Sequence, residues 1–167
     1  MSAGRKRVSI TVRRHLATAD REPLAHLLEA TGFFNPEELE VALELVDDRL
    51  QHGEASHYRF LVAEVDDRVA GYACWGPIPG TQASVDLYWI AVDPELQGIG
   101  AGRALLAEAE AWVLAEGRSR VYIETSSRAQ YQSTRGFYLA CGYQIVAELT
   151  DFYAPGDGKV MYLRVLS

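Results

Sequence analysis

The sequence predicts one domain of mixed α/β fold. Short runs rich in β-branched and aromatic residues recur along the chain, and between them lie stretches with apolar residues three and four positions apart. The 167 residues are enough for one real core, and no linker, repeat or low-complexity stretch divides them. Hydrophobic residues make up 49% and charged residues 23%, which fits an ordinary globular chain. Residues 1–167 are therefore read as a single domain, with 1–7 as a flexible lead.

Each element has its own local signal. Val8, Ile10 and Val12 alternate with Ser9, Thr11 and Arg13 and predict a first strand. Asp20 is placed to cap a helix that carries Leu24, Leu27 and Leu28 on one face and ends near Gly32. Asn35 caps the next helix, Pro36 fills its first turn, Glu38 completes a capping box, and Phe34 can staple to Leu39. Leu39, Ala42, Leu43, Val46 and Leu50 then line one face, with Glu40, Glu44, Asp47 and Asp48 mostly outside. "YRFLVAEV" and "VAGYACWG" flank Asp66-Asp67-Arg68 as a hairpin. "VDLYWIAV" is a strand so apolar that it belongs in the middle of a sheet. "QGIGAG" follows, then a helix with Leu105, Ala109 and Trp112 on one stripe and Leu106 and Val113 beside it. "RVYIET" reads as a buried strand, "STRGFYLACG" as a short helix, and "YQIVAEL" and "VMYLRVL" as closing strands. The segment between those two, "TDFYAPGDGKVMY", reads as a loop turned by Pro155, Gly156 and Gly158.

Charge and composition narrow the function. A net charge of -7 argues against general nucleic-acid binding, which needs a basic surface for phosphates. No apolar stretch is long enough to span a bilayer, and "MSAGRKRVSI" is basic without the apolar run of a signal peptide or anchor. Cys74 and Cys141 lie in apolar surroundings without metal-ligand spacing and read as reduced core residues of an intracellular, cytoplasmic protein. His15, His26, His52 and His57 are scattered, so no metal site is expected. The acidic run from Glu40 to Asp48 reads as a solvated helix face.

Three glycines in "QGIGAG" sit between an apolar strand and a helix. Bare amides at a helix start, with the helix dipole behind them, make an anion site, and glycine lets an anion approach the backbone closely. The dinucleotide pattern fails because Arg103 takes its third glycine, and no Gly-Lys-Ser/Thr follows for a Walker loop. The loop alone fits a phosphate site and a plain tight turn about equally.

The surrounding residues favour a ligand. "IAVDPELQGIGAGRALL" resembles the acetyl-CoA motif of the GNAT superfamily of N-acetyltransferases, Gln/Arg-x-x-Gly-x-Gly/Ala. Gln97, Gly100 and Gly102 fill its fixed positions, and Val92-Asp93-Pro94 precede it in the usual way. "FYLACGY" is similar to a second element of that superfamily, with Tyr138 four residues before Gly142-Tyr143. The resemblance implies a central, mostly antiparallel sheet, splayed between its fourth and fifth strands and flanked by about four helices. It implies acetyl-CoA as co-substrate, with the amides of Gly98, Ile99, Gly100, Ala101, Gly102 and Arg103 around the pyrophosphate. Ile90, Ala91 and Val92 would then offer backbone groups to the pantetheine amides, and the thioester would lie in the splay.

The implied reaction is attack of an amine on a thioester. It needs a proton acceptor for the amine, a donor for the oxyanion and a proton for the leaving thiolate. Tyr138 occupies the family's position for the acid. Glu124 ends "RVYIET", where similar enzymes that acetylate protein N-termini carry a catalytic glutamate. An ion pair to Arg120 or Arg128 is its plain structural alternative, and Asp86 is the second candidate base. A peptide N–H near Ile90 or Ala91 would serve the oxyanion. Many relatives carry an Asn after the second of these strands; "SSRAQYQSTRGFY" has none, and Ser127, Gln130 or Ser133 could substitute. Phe152 and Tyr153, with Asp86, are the expected acceptor-side residues. The partner is an amine-bearing acceptor, a peptide or a small molecule, with no nucleic acid and no membrane; a homodimer is left open. The alternatives are an acetyltransferase of a small metabolite or antibiotic amine, and a CoA-binding regulatory domain without turnover.

Overall fold

In the computed structural model, which describes residues 8–167, seven strands and four α-helices follow the order in which the two apolar periods alternate. They are β1 (Ile10–Arg13), α1 (Arg21–Thr31), α2 (Pro36–His52), β2 (Arg59–Val65), β3 (Arg68–Pro77), β4 (Ser84–Val92), α3 (Ala101–Ala115), β5 (Arg120–Ser126), α4 (Gln132–Ala140), β6 (Gln144–Ala154) and β7 (Asp157–Val165). The flexible lead expected at 1–7 lies outside the described residues. The strands form one sheet in the order β1-β2-β3-β4-β5-β7-β6. β1 with β2, β5 with β7 and β6 with β7 are antiparallel, while β4 and β5 are parallel. The sheet is the one the resemblance implied, and the apolar "VDLYWIAV" run is its middle strand. No helix among the described residues is long and apolar enough to cross a membrane.

The chain condenses into two compact units, one from 8–73 with 90–108 and the other from 74–89 with 109–167. In the first, α2 starts as its sequence dictates. The Glu38 amide donates to Asn35 Oδ1 at 2.9 Å, and the Asn35 amide donates to Glu38 Oε2 at 2.8 Å. Such a box satisfies two of the amides that a helix start leaves without carbonyls. Asp20 departs from expectation. Its carboxylate accepts the Ala17 amide at 2.7 Å and both Arg13 guanidinium nitrogens at 2.7 Å, closing the 3₁₀ turn Thr18–Asp20 rather than capping α1. A charged fork outcompetes a neutral amide for the same oxygens. α1 does end at Gly32, in the left-handed region at φ 67°. Asp66 and Asp67, at φ 50° and 60°, make the two-residue β2–β3 turn, whose handedness suits the strand twist. Leu24, Leu28, Val46, Phe60, Leu61 and Val62 are fully buried in this unit. Each such side chain contributes about 1.5–3 kcal/mol relative to exposure. Gly71 in β3 faces β4 so closely that a Cβ there would stand 2.7 Å from the Ala91 carbonyl oxygen.

In the second unit, Val121, Ile123 and Thr125 of β5 are buried, with Val160 and Tyr162 of β7 on the same face. Trp75 meets Trp112 edge to face at 5.7 Å. The Tyr143 hydroxyl donates to Glu110 Oε1 at 2.9 Å, and Arg164 Nη1 donates to both Glu110 oxygens at 3.0 and 2.9 Å and to the Cys141 carbonyl at 3.0 Å. Cys74 and Cys141 are both buried.

The loop expected between the closing strands is mostly strand. β6 runs on to Ala154, and only Pro155 and Gly156 separate it from β7. Leu149 pairs with Lys159 and Ala154 with Asp157, so Thr150–Tyr153 bulge outward opposite Gly158 alone. Asp151 takes the left-handed conformation, φ 53°, and its Oδ1 accepts the Gly156 amide at 2.8 Å. A side chain at 158 would come within 2.8 Å of the Leu149 carbonyl oxygen, which fixes glycine at the waist of the bulge.

Candidate active site

The glycine loop belongs to the first unit. After Val92 the chain is anchored twice: the Asp93 amide donates to the Ala70 carbonyl at 2.8 Å, and Arg68 reaches Asp93 Oδ2 and Glu95 Oε2, each at 3.2 Å. Asp93 Oδ1 accepts the Glu95 amide at 3.0 Å and caps the 3₁₀ turn Pro94–Leu96. Gln97 then leads into Gly98 and Gly100, at φ 79° and 96°, where a Cβ would be strained. Packing does not demand these glycines. A Cβ at Gly98 would meet nothing within 4 Å, and one at Gly100 only Ile10 Cδ1 at 4.0 Å. The backbone is left bare toward open space.

The Ala104 amide is taken by the Gly100 carbonyl at 3.0 Å, so the amides of Ala101, Gly102 and Arg103 precede the helical ladder of α3. Glu22 stands in the first turn of α1, and Glu37 and Glu38 in that of α2; α3 has no acid there. Arg103 is exposed and, among the described residues, has no ion-pair partner. A helix start with free amides, no carboxylate of its own and a free guanidinium fits an external anion. Ile90 and Val92 of the preceding strand are half-buried and Ala91 is buried. These residues fit a CoA pyrophosphate and its pantetheine arm.

The candidate acid and bases belong to the second unit. β4 and β5 pair from Ser84–Arg120 to Asp86–Tyr122, and the pairing ends there. Paired residues share a face, as do residues two apart, so Asp86, Tyr122 and Glu124 point to one side of the sheet. Tyr138 of α4 stands on the other side, its ring 5.8 Å from that of Tyr162, which is the partner of Ile123. The candidate acid Tyr138 and the candidate base Glu124 therefore face opposite sides of the sheet. They can act on one atom only where strands have parted, and Glu124 lies two residues past the last β4–β5 pair.

Tyr138 is 4% exposed and sits among the rings of Phe137, Tyr143 and Tyr162. Burial pushes its hydroxyl well above the usual phenol range, and Tyr162 and Cys141 push it further. It therefore keeps its proton at any ordinary pH, as a proton donor must. Nearby, Tyr162 Oη and Thr125 Oγ1 are buried without a hydrogen-bond partner.

Glu124 forms neither of the ion pairs foreseen for it. Lys159 Nζ, on the neighbouring strand and the same face, lies 2.7 Å from Glu124 Oε2 and 4.4 Å from the centre of the Phe152 ring. Phe152 meets Tyr153 edge to face at 5.0 Å. A chain of aromatic ring, ammonium and carboxylate thus links an expected acceptor-side residue to an expected base. Sequence reasoning missed Lys159, because its pairing with Glu124 depends on the β5–β7 register. It also missed Arg135, whose Nη1 donates at 2.9 Å to the carbonyls of Ser126 and Arg128 and secures the turn into α4, where no Asn stands. Ser127 is occupied otherwise: its hydroxyl accepts the Gly158 amide at 2.8 Å. Among the described residues no group of His, Cys, Asp or Glu is placed to hold a metal ion.

Comparison with known proteins bears on this arrangement. The sequence profile of the Acetyltransferase (GNAT) family matches residues 22–143. The structure of a GNAT-family acetyltransferase from Desulfovibrio desulfuricans is similar at 45% identity, with a TM-score of 0.92 over 95% of this chain and 100% of that one. The ribosomal-protein-S18-alanine N-acetyltransferase of Escherichia coli shares the fold at 19% identity, with a TM-score of 0.75 over 95% of each chain. An aminoglycoside 6'-N-acetyltransferase complexed with coenzyme A does so at 16% identity, with a TM-score of 0.74 over 93% of this chain and 96% of that one. No curated protein matches the sequence.

Proposed function

The chain belongs to the Acetyltransferase (GNAT) family, and from that premise we propose that it moves the acetyl group of acetyl-CoA to a primary amine by direct attack. The observation that carries this reading is the end of β4–β5 pairing at Asp86 and Tyr122, with Glu124 and Tyr138 beyond it on opposite faces. Acetyl-CoA supplies a thioester carbon open to nucleophiles. The amides of Gly98 to Arg103, with Gln97 beside them, hold the pyrophosphate, and Ile90, Ala91 and Val92 align the pantetheine arm. Glu124 takes a proton from the attacking amine as the N–C bond forms, and Asp86 stands on the same face as the second candidate. A peptide N–H near Ile90 or Ala91 receives the oxyanion. Tyr138 gives its proton to the sulfur as the C–S bond breaks. Amide and CoA thiol leave, and solvent returns the proton held by Glu124 to Tyr138.

The acceptor reading favours a peptide α-amine. An α-amine, with a pKa near ~7.7–8.0, needs less help to become neutral than a lysine-type amine near ~10.4. Phe152 borders the acceptor, with Tyr153 braced behind it. An E. coli protein of the same fold is a ribosomal-protein-S18-alanine N-acetyltransferase.

The deciding experiment is thiol release from acetyl-CoA, with and without alanine-initiated peptides, simple diamines and an aminoglycoside. Amine-dependent release is expected, lost in Tyr138→Phe by about 10²–10⁴-fold while acetyl-CoA still binds. Gly102→Val should weaken acetyl-CoA binding in a folded chain by calorimetry. CoA binding without release from any amine would replace this reading with a regulatory CoA-binding domain.

A further inference from the structure

Of the 16 lysines and arginines in the chain, only Lys6 and Lys159 are lysine. Lys6 lies outside the described residues. Ion pairs elsewhere use arginine, as at Arg13–Asp20, Arg21–Asp47 and Arg164–Glu110. Such pairs need only a lasting charge and good donors, and a guanidinium supplies both. The pair at Glu124 is made instead by a side chain that is able to give up its proton and become a nucleophile.

Lys159 is held as a reacting amine would be. A base must stand about 2.6–3.2 Å from the nitrogen whose proton it takes. Lys159 Nζ stands 2.7 Å from Glu124 Oε2. The Phe152 ring, centred 4.4 Å from Nζ, adds the aromatic surface that ammonium groups favour. The lysine side chain is only 14% exposed, so it does not wave in solvent. A primary amine of the chain's own thus occupies the place beside the candidate base that the reaction assigns to an acceptor.

We propose that Lys159 Nζ is a self-acetylation site: with acetyl-CoA bound and no outside acceptor present, the chain transfers the acetyl group to its own Lys159. This transfer rests on the reaction proposed above, with Glu124 as its base. A proton first moves from Nζ to Glu124, leaving a neutral amine beside a neutral carboxylic acid. A bound ligand that shuts out water eases that exchange, because two charges vanish together. Glu124 passes this proton to solvent. The nitrogen lone pair attacks the thioester carbon, and Glu124 takes a second proton as the N–C bond forms. Tyr138 protonates the sulfur as the C–S bond breaks, and solvent returns the second proton from Glu124 to Tyr138. Acetylated Lys159, CoA thiol and one released proton result. The new amide carries no charge, so the ion pair with Glu124 ends and the event occurs once per chain.

Peptide mass mapping of the chain, as purified and after incubation with acetyl-CoA alone, tests it. An acetyl group should appear on the peptide that carries Lys159, with no more than one thiol released per chain. The rate per chain should not change with chain concentration, and should exceed that at Lys6 in the same sample. Tyr138→Phe and Glu124→Gln should each slow it at least about tenfold, and Lys159→Arg should lose the amine-independent thiol. A water-soluble carbodiimide supplies a reading without acetyl-CoA. It should join Lys159 to Glu124 in untreated chain, and that crosslink should fade once the chain has been acetylated. An unmodified Lys159 in a sample that still releases thiol with added amines overturns the proposal and leaves the reaction standing. No thiol release with any amine, together with an unmodified Lys159, overturns both. Acetylation as fast in Glu124→Gln as in wild type, or with a rate per chain that climbs with chain concentration, also overturns it.

Discussion

Lys159 holds Glu124 at 2.7 Å, and with a side chain only 14% exposed it is the more buried of the two. The carboxylate is therefore fixed in place before any acceptor arrives. Glu124→Gln should lower turnover by about 10²–10⁴-fold with little change in acetyl-CoA affinity. Lys159→Met should lower it less, by freeing the carboxylate to rotate. Because the two act as a unit, the double variant should be no slower than Glu124→Gln alone. Steady-state rates of all three, with Asp86→Asn alongside, check this; a full loss confined to Asp86→Asn would move the base to Asp86.

Burial raises the Tyr138 hydroxyl and, with Glu110 as its acceptor, the Tyr143 hydroxyl well above the phenol range. A raised folded-state value favours the folded chain fully below the unfolded value of about 10 and is lost as pH rises beyond it, because the unfolded chain sheds protons that the folded one keeps. Thermal unfolding should therefore be insensitive to these groups at neutral pH and fall above about pH 10. Tyr143→Phe should flatten that alkaline fall, which a series of melting curves would read.

Asp20 behaves in the opposite sense. Burial pushes its carboxyl up, but Arg13 and the Ala17 amide outweigh burial and leave it below the usual range. Its contribution is complete above the unfolded value of about 3.9 and is lost as pH falls through the lower folded value. Asp20→Asn should cost roughly 1.5–3 kcal/mol at neutral pH, the scale of hydrogen bonds to charged groups. Denaturant titrations at pH 7 and in acid should show that cost shrinking as acidity rises.

Tyr162 Oη is buried without a partner, and such a group costs about 1–3 kcal/mol. Tyr162→Phe keeps the ring that packs on Tyr138 and removes the orphaned oxygen. It should unfold at the same temperature as wild type or higher. A clear loss of stability would mean that the hydroxyl is bonded in solution.

What the sequence made legible was local. The Asn35–Glu38 box and the Gly32 stop are written within four residues each, and the structure has them where the residues place them; the hairpin turn read at Asp66-Asp67-Arg68 is one residue shorter, because Arg68 already belongs to β3. "QGIGAG" and "FYLACGY" point to the GNAT superfamily, and the family match bears that out. Errors arose where distant chain intervened. Asp20 looked like a cap because Arg13, its true partner, sits on another element. Phe152 and Tyr153 looked like loop because proline and glycine follow them, yet β7 holds that segment in a bulged strand. Lys159 could not be matched to Glu124 without a register, and register is a property of paired strands rather than of either one.

Gly71 carries a last consequence. A side chain at this position would drive its first carbon into the Ala91 carbonyl oxygen at 2.7 Å, and backbone yields less readily than a flexible side chain. Any replacement must displace the end of β4, the strand whose Ile90 to Val92 segment we propose aligns acetyl-CoA. In a saturation screen scored by acetylation, position 71 would accordingly rank with the reacting residues while taking no part in the reaction. Screens scored by abundance would separate the two kinds of intolerance: Gly71 variants should be depleted in both, and Tyr138→Phe only in the first.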